Sequence, residues 1–302
     1  MGIQEELIQI LGADNVWKDE PMKLHTTFRV GGPADWFVTP EEENRVCELV
    51  RLLKKENIPY YVMGNGSNLL VGDKGYRGVI IQMYKKMSQI RAMEDRVIYA
   101  QAGALLSKIA AEALNQEWTG LEFASGIPGT LGGAVMMNAG AYGGEMKHVI
   151  KSAMAVSPEG ELKVLPIEQM ELGYRTSVFA KNGDIVLSAQ IQLQPGNVDE
   201  IRSYMEDLKE RRTTKQPLEF PSAGSTFKRP EGYFAGQLIQ ETGLRGFQVG
   251  GAQVSEKHCG FVINKDNATA ADIMALIEEV ADRVEAKFGV RLEPEVKRIG
   301  EF

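Results

Sequence analysis

The chain has 302 residues, of which 43% are hydrophobic and 25% charged, and its formal net charge is −7. This is the composition of a globular protein large enough for two or three domains, and no apolar run approaches the roughly 18 residues of a membrane span. The negative balance argues against nucleic acid, whose phosphates require clustered cations, but not against a small anion bound in a local pocket.

The first two thirds of the chain predict alternating helices and strands. Segment 41–58 has apolar residues at helical spacing and predicts an amphipathic helix, and PYYVMG predicts a buried strand before a glycine-rich loop. Further predicted elements are strands at RGVIIQM and RVIYAQAGA, a helix at 105–116, a hairpin at IKSAMAVSPEGELKVL and a strand at DIVLSAQIQLQ.

The last third begins with a charged helix predicted over 198–216. A stretch rich in Pro, Gly and Ser follows, which predicts a domain boundary near residue 210. The last predicted helix has Thr269 as its N-cap, Asp272 three residues further on, and Gly289 as its stop. A short strand at VRLEPEVKRIG closes the chain, and the whole pattern is α+β with mixed sheets in more than one domain.

Three segments are rich in glycine. GNGSN (64–68) lacks the third glycine of the dinucleotide fingerprint, and the residues after it predict loop and strand where that fingerprint needs a helix. HTTFRVGG places two glycines after an alternating strand, and segment 124–146 holds seven glycines. Successive N–H groups in such loops form anion-binding nests, so we predict a pyrophosphate cradle, with tight turns alone as the alternative.

Signals for export and for metal binding are missing. The N-terminus carries two glutamates where a signal peptide carries positive charge, so a cytoplasmic protein is expected. Cys47 and Cys259 lie far apart, and the cysteines and three histidines show no metal-ligand spacing. We therefore predict neither a metal site nor a disulfide.

Six motifs occur in the order HTTFRVGG, GNGSNLLV, GIPGTLGGAVMMNAGAYG, GYRTSVF, PSAGSTFK and LEPEV. With them the chain resembles, from about residue 22 to its end, the UDP-N-acetylenolpyruvoylglucosamine reductase family, flavoenzymes of bacterial cell-wall synthesis. The resemblance implies an α+β protein with the FAD-binding fold of the vanillyl-alcohol oxidase and PCMH type and a small C-terminal α+β substrate domain. The implied domains are FAD-binding subdomains at 1–84 (joined by a strand at 296–302) and 85–210, and a substrate domain at 211–295.

The resemblance also implies non-covalently bound FAD, with NADPH as co-substrate. The loop at 64–68 would donate N–H groups to the FAD pyrophosphate, and segment 124–146 would lie along the rest of the cofactor. The implied cofactor-binding residues are Gly64, Asn65, Gly66, Ser67, Asn68, Gly126, Pro128, Gly129, Thr130, Gly133, Asn138 and Gly140.

The implied reaction converts the enolpyruvyl ether of UDP-N-acetylglucosamine to UDP-N-acetylmuramate. Hydride adds to the terminal methylene carbon, so negative charge develops on the adjacent carbon and its carboxylate, and the site needs a cation and a proton donor. Arg175, in GYRTSVF, matches the family's arginine, whose planar fork holds a carboxylate. Ser225, in SAGSTF, matches the proton donor, and Glu295, in LEPEV, matches a glutamate that assists protonation.

The implied substrate contacts are Tyr174, Lys215, Lys228 and Arg229, the three cations being candidates for the UDP phosphates. Arg229 stands where family members often have asparagine. The arginine would replace the amide contact of that asparagine by a charge contact, or would make no contact there. The chain is short for the family and resembles the subtype without the extra tyrosine loop over the substrate.

Two other functions stay open on the sequence. A sugar or lactone oxidase of the same fold would turn over with oxygen and without NADPH, and a non-catalytic nucleotide-sugar-binding protein would carry no flavin. A P-loop NTPase is excluded because the chain has no G-x-x-x-x-G-K-[ST] run. A monomer or weak homo-oligomer is expected.

Overall fold

The computed structural model describes residues 2–302, which contain eight α-helices and eighteen β-strands. The helices are α1 (Ile3–Leu11), α2 (Glu43–Lys55), α3 (Leu106–Asn115), α4 (Leu131–Met136), α5 (Phe179–Asn182), α6 (Val198–Lys215), α7 (Ala235–Glu241) and α8 (Ala270–Phe288). The strands are β1 (Val16–Pro21), β2 (Pro33–Val38), β3 (Tyr60–Met63), β4 (Leu69–Val71), β5 (Tyr76–Gln82), β6 (Ile90–Met93), β7 (Val97–Gln101), β8 (Trp118–Thr119), β9 (Gly140–Ala141), β10 (Gly144–Glu145), β11 (Ile150–Val156), β12 (Leu162–Pro166), β13 (Ile185–Gln192), β14 (Gln194–Pro195), β15 (Gln248–Val249), β16 (Ala252–Val254), β17 (Val262–Asn264) and β18 (Lys297–Ile299).

The strands pair in both antiparallel and parallel fashion. Five of them make an antiparallel sheet in the order β12-β11-β13-β7-β6. A four-stranded sheet runs in the order β1-β2-β5-β3, with β3 and β5 parallel and Tyr60 opposite Val79. Strands β15, β16 and β17 form an antiparallel meander, and β18 lies parallel to β4 with Lys297 opposite Leu69.

The chain divides into two compact units. The first comprises the chain up to Trp17, Trp36–Asn65 and Gly78–Arg211, and the second comprises Lys18–Asp35, Gly66–Arg77 and Arg212–Phe302. The first unit has one apolar core between the five-stranded sheet, α3 and α4, and another between α1, α2 and β5. The core of the second unit is built from α7, α8 and the meander.

Helix α8 confirms the predicted start and stop signals. Thr269 Oγ1 accepts from the Asp272 N–H at 3.0 Å, and the Asp272 carboxylate accepts from the Thr269 N–H at 3.0 Å, which is a capping box. Gly289 follows the helix with φ +69°, in the left-handed region where glycine is favoured. The helix buries the apolar stripe Ile273, Ile277, Val280 and Val284.

Three local predictions were wrong. The strand expected before the glycine pair is absent: residues 25–30 form turns, in which Thr26 Oγ1 donates to the Val30 carbonyl oxygen at 3.0 Å, and β2 begins at Pro33. The predicted closing strand is shorter than expected: only β18 is a regular strand, and Pro294 forms an isolated antiparallel bridge with Phe227. Helix α4 forms inside the glycine-rich segment, where Leu131 and its neighbours Ala134 and Val135 are buried.

Within residues 2–302, no helix has both the length and the apolar character needed to cross a membrane. The same residues hold no group of three or more His, Cys, Asp or Glu side chains arranged for a metal ion. Cys47 and Cys259 are buried thiols outside any disulfide, and burial raises the pKa of each.

Candidate active site

In the first unit, two of the glycine-rich segments meet at Gly64. A Cβ atom at Gly64 would collide with Thr130 Oγ1, so any larger residue there would force Thr130 or the backbone to move. The next residue, Asn65, donates from Nδ2 to the Pro128 carbonyl oxygen at 2.8 Å. The structure therefore brings together four residues that were predicted to bind the cofactor.

In the second unit, the turn of the same loop also requires glycine. Gly66 has φ +69°, and a Cβ atom there would collide with the His25 carbonyl oxygen. The Thr27 N–H donates to the Gly66 carbonyl oxygen at 3.2 Å. The HTTFRVGG segment thus packs against the GNGSN loop at Gly66.

The backbone N–H groups of residues 64–68 are not used by the protein itself. Among the hydrogen bonds of residues 2–302, none is donated by any of these five groups, although Gly66 is buried. Buried N–H groups are nearly always paired, and a run of available ones is a nest for an anion. The loop therefore fits the pyrophosphate of a dinucleotide such as FAD.

The other predicted cofactor residues belong to this loop or lie near α4. Ser67 and Asn68 complete the loop in the second unit. In the first unit, the remaining glycines lie before α4, in its first turn and after it: Gly126, Gly129, Gly133 and Gly140.

The Asn138 side chain, predicted to bind the cofactor, is engaged by the protein. Its Nδ2 donates to Glu145 Oε2 at 2.8 Å and to the Gly173 carbonyl oxygen at 3.1 Å, and its Oδ1 accepts from the Lys147 N–H at 2.9 Å. These bonds use the amide's polar groups, so the side chain holds the turn that leads to Arg175.

Arg175 lies in a strained turn. Its φ is +54°, a left-handed conformation that is uncommon outside glycine and clusters at functional sites. Gly173 begins the turn, and the Arg175 guanidinium lies 5.5 Å from the centre of the Tyr174 ring. The fully buried Ser177 anchors the exit of the turn by donating from Oγ to the Met136 carbonyl oxygen at 2.7 Å.

In the second unit, the segments that carry Ser225 and Glu295 run side by side. The Glu295 N–H donates to the Thr226 carbonyl oxygen at 2.8 Å, and the Lys228 N–H donates to the Glu293 carbonyl oxygen at 2.9 Å. This antiparallel pairing places Glu295 directly across from the residue that follows Ser225. Two of the three predicted catalytic residues therefore lie on adjacent segments.

Asn68 joins the glycine loop to Glu295. Its Nδ2 donates to the Glu295 carbonyl oxygen at 3.3 Å, and its own carbonyl oxygen accepts from the Lys297 N–H at 3.0 Å. The backbone of Glu295 is thus held at its N–H by one segment and at its carbonyl by another.

Two of the predicted substrate cations of the second unit, Lys228 and Arg229, have protein contacts. Lys228 Nζ lies 2.9 Å from Glu293 Oε2 in an exposed ion pair. The Arg229 guanidinium lies 4.1 Å from the centre of the Phe234 ring, and its Nε donates to the Tyr233 carbonyl oxygen at 3.3 Å.

The positive charge of Lys215, at the end of α6, affects the pKa of His258. Burial lowers the pKa of His258, and the positive charges of Arg245 and Lys215 lower it further. His258 Nδ1 accepts from the Gly260 N–H at 3.0 Å, which requires the neutral ring. No sequence motif identifies Arg245, because a cation brought near by folding has no local signature.

Two family models match the chain. One, described as an FAD binding domain, matches residues 34–165, and the other, described as the C-terminal domain of UDP-N-acetylenolpyruvoylglucosamine reductase, matches residues 216–299. A relative from Clostridioides difficile (strain 630), named UDP-N-acetylenolpyruvoylglucosamine reductase, is 56% identical over 295 residues, which cover 98% of this chain and 97% of the relative.

Solved structures resemble the fold as well. The crystal structure of UDP-N-acetylenolpyruvylglucosamine reductase from Thermus caldophilus has a TM-score of 0.80 at 33% identity, and the match covers 93% of this chain and 97% of that chain. Phl p 4.0202, a glucose dehydrogenase, has a TM-score of 0.50 at 13% identity over 64% of this chain and 44% of its own, a likeness of fold alone. These similarities confirm the expected FAD-binding fold with a separate C-terminal domain.

Proposed function

Because the chain belongs to the UDP-N-acetylenolpyruvoylglucosamine reductase family, we propose that it reduces the enolpyruvyl ether of UDP-N-acetylglucosamine to UDP-N-acetylmuramate, with NADPH as reductant. The product is a precursor of peptidoglycan. FAD, when bound, supplies the hydride that it receives from NADPH.

The glycine loop holds the cofactor in this proposal. The available N–H groups of residues 64–68 donate to the pyrophosphate, and Gly64 and Thr130 keep the two first-unit segments in contact behind it. Main-chain donors are fixed before binding, so they lose little conformational entropy when the cofactor arrives.

Each catalytic side chain has one chemical task. Arg175 binds the carboxylate of the enolpyruvyl group through its planar guanidinium and stabilises the charge that develops there. Ser225 gives its hydroxyl proton to the carbon next to that carboxylate. Glu295 assists this proton transfer.

The remaining substrate contacts are assigned by charge. Lys215, Lys228 and Arg229 bind the phosphates of the UDP moiety, and Tyr174 packs against the substrate. Exposed ion pairs contribute little free energy, so the Lys228 contact with Glu293 does not prevent a phosphate from binding there.

The observation that carries the proposal is the hydrogen bond between the Glu295 N–H and the Thr226 carbonyl, because it places Ser225 and Glu295 on adjacent segments. The test follows the flavin absorbance of the purified protein without oxygen. NADPH should bleach it, and the enolpyruvyl sugar nucleotide should restore it.

Ser225→Ala should leave bleaching intact and slow recovery by several orders of magnitude, whereas Ser203→Ala, an exposed serine on α6, should change neither step. Equal slowing of both steps would remove Ser225 from the role of proton donor. Recovery with oxygen and a simple sugar, but not with the nucleotide, would indicate an oxidase instead.

A further inference from the structure

Thr226 joins the segments that carry Ser225 and Glu295, and the motif that contains it predicts no role for it. The residue is fully buried and three of its polar groups are bonded. Its N–H donates to the Gly260 carbonyl oxygen at 2.9 Å, and its carbonyl oxygen accepts from the Glu295 N–H at 2.8 Å. Its side-chain Oγ1 accepts from the Val262 N–H at 2.8 Å.

The hydroxyl determines where this backbone lies. Val262 begins β17, the edge strand of the meander, so its N–H is a fixed point in the second unit. Without an acceptor at position 226 that buried N–H is left unpaired, and the segment shifts or water enters. Either change moves Ser225 through its covalent bond and Glu295 through its hydrogen bond.

Glu295 does not simply follow such a shift, because a second contact holds it. Asn68 donates from Nδ2 to its carbonyl oxygen at 3.3 Å. A displacement of Thr226 therefore changes the position of Ser225 relative to Glu295 instead of moving the two together. The distance between a proton donor and its assisting carboxylate is the quantity that a misplaced backbone alters.

We propose that Thr226 is a positioning residue, whose hydroxyl sets the Ser225 hydroxyl and the Glu295 carboxylate for the protonation step. This inference rests on the proposed function and deepens it. Because the N–H, carbonyl and hydroxyl of the buried Thr226 all bond within the protein, we assign its effect to the protonation step, through the segments that carry Ser225 and Glu295.

The test compares Thr226→Val, which keeps the shape and removes the acceptor, with Thr226→Ser, which keeps the acceptor. Thr39→Val is the matched control, because Thr39 is also buried and its hydroxyl donates to Asn15 Oδ1 at 3.1 Å. Rapid mixing without oxygen measures bleaching by NADPH and recovery with the enolpyruvyl sugar nucleotide separately, each normalised to bound flavin. Thr226→Ala is measured as well, since it adds no bulk if valine hinders folding.

We expect Thr226→Val and Thr226→Ala to slow recovery about 10- to 100-fold and to change bleaching by less than about twofold. Thr226→Ser should restore recovery, and Thr39→Val should change neither rate. Wild-type recovery in the Val and Ala variants, equal slowing of both steps, or failure of the serine variant to rescue would overturn the inference. Loss of folding in both variants would assign Thr226 to stability alone and would also overturn it. If the wild-type protein itself does not recover with the nucleotide, the proposed function fails instead.

Discussion

Replacing Gly64 by alanine perturbs the cofactor cradle at one atom. The new Cβ would collide with Thr130 Oγ1 and would lie 3.2 Å from both the Thr130 Cβ and Cγ2. Overpacking of this kind costs typically about 1–3 kcal/mol, because the side chain or backbone must move. If that strain opposes FAD binding, the Kd for FAD rises roughly 5- to 150-fold, since each tenfold change in Kd corresponds to about 1.4 kcal/mol.

A second substitution separates this collision from a general effect on the loop. Thr130→Gly removes the atoms that collide, and glycine is tolerated at the N-cap position that Thr130 occupies before α4. The double variant Gly64→Ala/Thr130→Gly should therefore bind FAD like Thr130→Gly alone. The double-mutant cycle should give a coupling energy of about 1–3 kcal/mol, which favours the double variant.

The assay is fluorescence titration of FAD with flavin-free protein. Gly2→Ala is the control, since a Cβ atom there would meet no other atom within 4 Å. Wild-type affinity in Gly64→Ala would show that the two segments need not touch when the cofactor binds. Equal losses in Gly64→Ala and in the double variant would likewise refute the reasoning.

Three further outcomes are expected elsewhere in the chain. Ser177→Ala leaves the Met136 carbonyl without its buried donor, so urea unfolding should show a loss of about 1–3 kcal/mol, and flavin recovery, which depends on Arg175, should slow more than bleaching. Burial lowers the pKa of His258 in the folded protein below its ordinary value of about 6.5. As the pH falls through about 6.5, the unfolded state therefore takes up a proton that the folded state does not, and the free energy of unfolding decreases. His258→Asn keeps an acceptor and cannot titrate, so its Tm should fall less between about pH 7 and pH 5, and an unchanged pH dependence would contradict this. The Asp73 carboxylate accepts from the first two N–H groups of α8 at 2.8 and 2.9 Å, so Asp73→Ala should lower the unfolding free energy by about 1–2 kcal/mol without loss of bound flavin.

Elements fixed by local signals are the ones that the sequence predicted. Helix α8 has its cap and its stop within one continuous segment, and both are found in the structure. The glycine loop was recognisable for the same reason, because glycine readily adopts the left-handed conformation that Gly66 has at φ +69°. Helix α4 was missed because glycine has a low helix propensity, and only burial of its apolar residues in the core overrides that preference.

Contacts between distant parts of the chain could not be predicted in this way. The bond from Asn68 to Glu295 joins residues 227 positions apart, and that from Thr226 to Val262 joins residues 36 apart. The residue type does not predict either bond, since asparagine and threonine side chains most often bond locally, in turns or caps. The motifs identified the reacting side chains, and the long-range bonds determine where those side chains lie.

Net charge does not decide whether this chain can bind an anionic sugar nucleotide. Charges farther apart than about 8 Å are largely screened at physiological ionic strength, so the formal −7 acts weakly at any one point. Lys228 already holds one carboxylate, that of Glu293, in an exposed pair, which contributes at most about 1 kcal/mol. A phosphate offers more negative charge and more acceptor oxygens than a carboxylate, so it can displace Glu293 at little cost. The cations that matter are therefore those within contact distance of the substrate, and an acidic protein needs only a few of them.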